Sequence, residues 1–274
     1  QRIFDANDWR SFDIGTNDIR KSRRAYYANI SYLDDKIGDI LEVLDATGQT
    51  DNTIIVFVSD HGDMLGEKGL WFKMSFFEGS SRVPLMVAAP GLEPRRVDTP
   101  VSTLDVTPTL ADLVGIELGE VTPWTDGETL MPLARGGVRA TPVRMEYAAE
   151  ASYAPLVGIV EGRWKFISCV LDPDLLFDLE TDPHELTNLA SDPRHAETLA
   201  HLKSMASKFW DLQAFDAEIR QSQARRHVVY DALRNGTYFP WDFEPLQRAS
   251  ERYMRNHMDL NHLEDSKRFP RGEQ

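Results

Sequence analysis

Between residues 21 and 44 the apolar side chains Tyr26, Ile30, Leu33, Ile37, Ile40, Leu41 and Leu44 recur three or four positions apart. That is the period of one face of an α-helix, and Gly48 supplies its stop. Asp51-Asn52 turns the chain into an apolar run of strand length, Thr53-Ile-Ile-Val-Phe-Val-Ser59, which ends abruptly in Asp60-His61-Gly62-Asp63. A second apolar run over 84–89 closes at Pro90-Gly91. Helix, continuous apolar strand, glycine-bearing loop and strand predict a buried, largely parallel sheet of an α/β domain. Two strands do not complete such a sheet, so partner strands are expected from outside this chain. A further helix is predicted over 101–115: Thr107-Pro108 suits its first turn, Leu110, Leu113 and Val114 form its apolar face, and Gly115 ends it.

A Gly- and Pro-rich linker over 119–142 precedes a change of pattern. Short apolar segments at 156–160, 164–170 and 175–179, separated by Glu161-Gly162 and Asp172-Pro173, predict an antiparallel meander. One helix is then expected from about 193 to 220, with Leu199, Leu202, Met205, Phe209 and Leu212 as its buried stripe. Residues 235–274 have no sustained period but carry Tyr238, Phe239, Trp241, Phe243, Tyr253 and Phe269. Such a tail needs another surface to lie on, and it predicts a homo-oligomer. The expected division is an α/β domain over 1–140, a small antiparallel sheet plus helix over 141–234, and the extended tail.

Composition narrows the partners. A formal net charge of −14 argues against nucleic acid and against an anionic membrane surface. No apolar stretch approaches the roughly 20 residues that span a bilayer. The single cysteine, Cys169, excludes an internal disulfide framework and reads as a small apolar residue within a strand. The expected compartment is cytoplasmic.

The chemistry is carried by few residues. A strand that delivers side chains at its carboxyl end is how open α/β sheets build sites. Asp60 is a hard oxygen donor, and His61 serves as a metal ligand or a proton-transfer group. Taken alone, Asp60-His61-Gly62 serves equally well as a capped turn with a hydrogen-bonded histidine. Lys73 lies among Leu70, Trp71, Phe72, Met74, Phe76 and Phe77, where a cation either snorkels to water or meets an anion. Glu78 and Arg82 are spaced for a structural ion pair. Glu150, flanked by Tyr147 and Tyr153, fits either a pocket for a cationic head group or a solvated loop.

The stretch Ser59-Asp60-His61-Gly62-Asp63-Met-Leu-Gly66-Glu67-Lys68-Gly69 followed by Lys73 resembles the sulfatase family. So does Leu176-Phe177-Asp178-Leu179-Glu180-Thr181-Asp182-Pro183-His184-Glu185-Leu-Thr-Asn188-Leu189, the more specific block of the two. The aromatic, arginine-rich end from about Arg225 looks like the carboxyl-terminal extension of choline-sulfatases. The resemblance implies an alkaline-phosphatase-like α/β sandwich followed by a smaller antiparallel α+β domain. It implies hydrolysis of sulfate esters, here choline sulfate to choline and sulfate, by a formylglycine made within a Cys/Ser-x-Pro-x-Arg motif. It also implies a divalent metal, Ca²⁺ with Mg²⁺ or Mn²⁺ as alternatives, held in part by Asp60 and His61. Lys73 matches the lysine on the sulfate and ester oxygen, and Glu150 matches the carboxylate aimed at the quaternary ammonium. The nucleophile motif and the early acidic metal ligands are not in these 274 residues. The chain is therefore expected to be the carboxyl-terminal part of a sulfatase, inactive by itself. A phosphonate or phosphate monoester hydrolase of the same superfamily, and a non-catalytic assembly or binding fragment, are the alternatives.

Overall fold

The computed structural model describes residues 13–116, 119 and 125–235. Helix α1, Thr16–Ala46, begins before the apolar period sets in, because the Asp18 carboxylate accepts the Gly15 N–H and caps the first turn. It ends as expected, with Gly48 at φ 67° just beyond the cap. Near its amino end Arg23 donates to the Leu65 carbonyl at 3.0 Å and pairs with Glu67 at 2.7 Å. Ile30, Leu33, Ile40 and Leu41 of its apolar stripe remain exposed, with no covering element among the described residues.

Strand β1 (Ile55–Val58) leads into the Asp60 turn. A small ribbon of β2 (Met64–Leu65) and β3 (Trp71–Phe72) follows, then one helical turn, α2 (Glu78–Ser81), and β4 (Leu85–Ala88). β4 pairs antiparallel with β1, Ile55 opposite Ala88 and Val58 opposite Leu85. This corrects the parallel arrangement expected for the two apolar runs. A parallel partner needs a crossover that carries the chain back to the strand's start. Here the connection spends its residues on the ribbon and α2 at the carboxyl end of β1, so the chain re-enters the sheet from that end.

Helix α3, Val106–Leu113, lies within the predicted 101–115 span, and Ser102 caps the 3₁₀ turn before it. Over its described residues the linker is more ordered than its composition suggests. Met131–Ala134 forms a helical turn, α4, and buried Asp105 accepts the Glu128 N–H at 3.0 Å and pairs with Arg139. Those bonds tie the linker to the start of α3.

The second unit is a four-stranded antiparallel sheet in sequence order: β5 (Val143–Tyr147), β6 (Leu156–Glu161), β7 (Trp164–Cys169) and β8 (Asp172–Asp178). The three predicted strands are present, and β5 was missed; β8 begins at Asp172, where edge Pro173 costs no ladder bond. Alternation sorts the side chains into two cores. Ile159, Phe166 and Leu176 face helix α5 (Ala196–Phe209) and its Leu202 and Ala206. Ile167 and Phe177 face the other way, onto Phe76 of the first unit. Gly158 permits that approach, since a Cβ there would lie 2.7 Å from the Met145 Cε and 3.2 Å from the Phe76 ring.

The single helix expected over 193–220 is two. Trp210 is extended (φ −134°, ψ 132°), its indole donates to Glu146 at 2.5 Å, and α6 (Leu212–Arg234) continues beyond 220. The bond to β5 outweighs continued helix at that position. The tail and its expected role in assembly lie outside the described residues, apart from Asn235. Among the described residues no helix is long and apolar enough to cross a membrane.

One charge cluster closes the β7–β8 end. Arg163 donates to both carboxylate oxygens of Asp178, through Nε at 2.6 Å and through Nη2, and Thr181 donates to it at 2.8 Å. The Arg163 bonds, then Thr181 and the Glu180 amide, hold the Asp178 carboxyl down at about 2. A depressed carboxyl stabilises the fold above its ordinary value of 3.8, and the contribution disappears as pH falls through about 2. Asp178→Asn is therefore less stable than the parent at pH 7, with the gap closing between pH 4 and pH 2, roughly the interval between the two values. Urea unfolding at stepped pH checks this; a gap independent of pH refutes it.

Candidate active site

Asp60 and His61 leave the carboxyl end of β1 in a turn stapled by Ser59, whose hydroxyl donates to the His61 carbonyl at 2.7 Å. The Asp60 carboxylate accepts the His61 N–H at 2.9 Å, and that bond holds its pKa below the ordinary value. His61 Nδ1 lies 2.9 Å from the Gly62 carbonyl, which only accepts, so Nδ1 is the protonated nitrogen. In the neutral ring Nε2 then carries a lone pair, and it faces Asp60 Oδ2 at 3.5 Å. Both side chains remain accessible, with exposures of 36% for His61 and 84% for Asp60, so an imidazole nitrogen and a carboxylate oxygen stand together open to a cation. The donor pair thus fits a divalent metal, although it is only part of a ligand set. Ca²⁺ takes about six to eight oxygens, and no group of three or more His, Cys, Asp or Glu converges among the described residues.

Lys73 follows β3 directly after Phe72, whose φ of 63° is left-handed for a side chain that rarely tolerates it. That kink turns the chain out of the ribbon. The Lys73 ammonium lies 3.9 Å from Glu150 Oε1. Both remain accessible, with side-chain exposures of 41% and 62%, so the contact is worth at most about 1 kcal/mol and opens readily to a ligand. Glu150 sits in the turn after β5. There the Tyr147 hydroxyl donates to the Glu150 carbonyl at 2.7 Å, and Ala151 adopts φ 62°. Burial first, and then the Glu150 charge, push the Tyr147 phenol up to about 12, so it stays a donor at neutral pH.

Of the four residues singled out in the sequence, the structure pairs Lys73 with Glu150 and Asp60 with His61. Helix α2 links the two pairs. The Gly62 N–H donates to the Ser80 carbonyl at 2.8 Å, and the Ser80 hydroxyl donates to the Ser75 carbonyl at 2.6 Å, two residues beyond Lys73. The expected Glu78–Arg82 pair forms at 3.5 Å, but Glu78 also meets buried Lys165 at 2.5 Å. Lys165 escaped sequence reasoning, and Lys68 and Glu185 entered it only as members of the two family-like blocks, with no role. The signal for Lys165 was its place in an apolar strand, Trp164-Lys165-Phe166-Ile167.

Family models match in three overlapping or adjoining stretches. The sulfatase model covers residues 4–116, and that for the carboxyl-terminal region of N-sulphoglucosamine sulphohydrolase covers 66–212. The model for the carboxyl terminus of choline sulfatase covers 217–269. The chain belongs to the sulfatase family. The choline-sulfatase of Rhizobium meliloti (strain 1021) is 62% identical over 276 residues, spanning 100% of this chain. The chain spans 54% of that relative's length. A solved 2-O GAG sulfatase aligns at TM-score 0.58 and 30% identity over 65% of this chain and 40% of its own. The phosphonate monoester hydrolase of Agrobacterium radiobacter aligns at TM-score 0.61 and 30% identity, over 74% of this chain and 43% of its own. The sulfatase neighbours carry the alkaline-phosphatase-like α/β architecture, of which this chain holds a part, followed by the antiparallel sheet.

Proposed function

We propose that this chain is part of a sulfuric ester hydrolase that converts choline sulfate and water to choline and sulfate. The observation that carries the reading is the Lys73–Glu150 pair, an accessible cation and anion 3.9 Å apart. Choline sulfate is a zwitterion whose sulfate and quaternary ammonium are separated by two carbons. It can replace the protein's own weak ion pair with two contacts, sulfate on Lys73 and ammonium near Glu150. The 62% identity to a choline-sulfatase supports the same substrate.

In this reading Lys73 donates to the sulfate and supplies to the bridging oxygen the proton with which choline leaves as its alcohol when the S–O bond breaks. Glu150 orients the ammonium without touching the reacting atoms. Asp60 and His61 would contribute to holding a divalent cation, Ca²⁺ or alternatively Mg²⁺ or Mn²⁺, whose charge neutralises sulfate oxygens. The formylglycine that would take the sulfuryl group has no source motif in these 274 residues, so this chain alone is expected to be inactive. The similarity to a phosphonate monoester hydrolase favours a second reading, since Lys73 and a metal serve either tetrahedral anion. Purified complete enzyme assayed on choline sulfate, an uncharged aryl sulfate and a phosphonate monoester decides between them. The expected order places choline sulfate first in kcat/KM; a phosphonate ester in that place overturns the choline-sulfate reading.

A further inference from the structure

Two of the most heavily buried charges among the described residues lie between the two units. Lys165, on β7, is 1% exposed, and Glu185, in the loop after β8, is 2% exposed. The Lys165 ammonium lies 2.9 Å from Glu185 Oε1, 2.5 Å from Glu78 Oε1 and 2.8 Å from the Phe76 carbonyl that it donates to. Glu185 Oε2 accepts the Glu78 N–H at 2.7 Å, at the first residue of α2. The Glu185 carbonyl accepts from Lys68, whose ammonium also rests over the Phe77 ring at 4.7 Å. Both Glu185 (φ 54°) and Lys68 (φ 53°) are held left-handed, so neither backbone is relaxed where these contacts form.

Apart from the Lys165–Glu185 pair itself, these bonds end on the segment that carries the site. Phe76 and Glu78 lie three and five residues beyond Lys73, and Ser75 bonds the hydroxyl of Ser80 at 2.9 Å. The Ser80 carbonyl in turn holds Gly62, next to His61. The fit there leaves no slack: a Cβ on Gly62 would lie 2.3 Å from the Gly79 carbonyl. A loop of this kind would otherwise have no stiff support, since β3 contributes only two residues and α2 one turn.

We infer that Lys165 and Glu185 are positioning residues for the reaction: a buried ion latch through which the small domain fixes α2, and through it the placement of Lys73 and of the Asp60–His61 turn. The inference rests on the sulfatase reading for its catalytic consequence, but the latch itself is independent of substrate. A buried ammonium needs its partners, and removing one leaves the other charge uncompensated. The site then loses alignment rather than chemistry. Misplacement of about 1 Å costs up to about 100-fold in rate.

The test uses the complete enzyme carrying Lys165→Met, and Lys165→Met/Glu185→Met as a variant that removes the fully buried pair together and leaves Glu78 with Arg82, which keeps the fold where the single change does not. The expected result is turnover reduced by about 10- to 100-fold with KM for choline sulfate nearly unchanged, equally for an uncharged aryl sulfate. In a Lys73→Ala background the same change costs less than in the parent, because the part of the latch's effect that runs through Lys73 is already lost and only the part through the Asp60–His61 turn remains. Lys165→Arg, which keeps the cation, restores most of the turnover. Hydrogen exchange provides a reading free of activity: the amides of Gly62 and of 76–81 exchange faster in the paired variant, while those of α5 do not. Parental turnover in the folded paired variant, a full additional loss in the Lys73→Ala background, or unchanged exchange at Gly62 and 76–81 each overturns the latch. A parent enzyme inert to every sulfate ester overturns the sulfatase reading instead, and the exchange measurement still decides the latch.

Discussion

Replacing Lys73 by alanine in the complete enzyme should lower turnover on choline sulfate by about 100- to 1,000-fold, the usual cost of deleting one preorganised contact to developing charge. Three features of the structure set that expectation. The ammonium is held at the exit of a kinked ribbon, after a left-handed Phe72 that fixes where the chain turns. Its backbone is braced through Ser75 and Ser80 to the Asp60–His61 turn. Its partner, Glu150, is accessible and weakly bound, so the charge is available to a sulfate. Because the contact strengthens as negative charge builds on the bridging oxygen, the loss falls mainly in kcat rather than in KM. Steady-state assay of sulfate release measures it. Turnover within about threefold of the parent would remove Lys73 from transition-state stabilisation.

Glu150→Gln should act on the other end of the substrate. The expected change is an increase in KM for choline sulfate of about tenfold, some 1.4 kcal/mol. That lies between the weight of an open surface ion pair and that of a desolvated cation contact. An uncharged aryl sulfate, with no ammonium to place, should be almost unaffected. The substitution also frees Lys73 from its neighbouring carboxylate, so an aryl sulfate is expected to bind no worse. Equal increases for both substrates would show that Glu150 supports the site generally and does not read the ammonium.

Much of the local structure was legible because it depends on neighbours in sequence. The three- and four-residue period marked α1, Gly48 its end, and alternating short apolar runs marked β6 to β8. Strand β5 carries the period-2 signal, Val143, Met145 and Tyr147 alternating with Arg144 and Glu146, but it follows directly on the Gly- and Pro-rich stretch that masks it. The division of one long helix at Trp210 was likewise hidden, since its cause is a bond to Glu146. The direction of β4 against β1 turned on where the intervening chain spends its length.

The candidate chemistry follows the same boundary. Asp60, His61, Lys73 and Glu150 were singled out by residue type and local setting, which left bland alternatives open, and their roles came from the family resemblance. Adjacency in the chain settles Asp60 with His61, because a turn of two residues leaves little choice. What brings Lys73 within 3.9 Å of Glu150, a residue 77 positions away, is packing of Phe76 and Phe77 against Ile167, Phe177 and Tyr147. The Lys165–Glu185 latch is further still from sequence logic, since a lysine in an apolar strand gives no sign of which carboxylate will meet it. Local pattern determined helices α1 and α3, most strands and the list of candidate groups, because those depend on backbone period and on chemistry carried within a few residues. Tertiary structure decided strand direction, the pairing of distant charges and the bracing of the site, because burial selects partners by position in space.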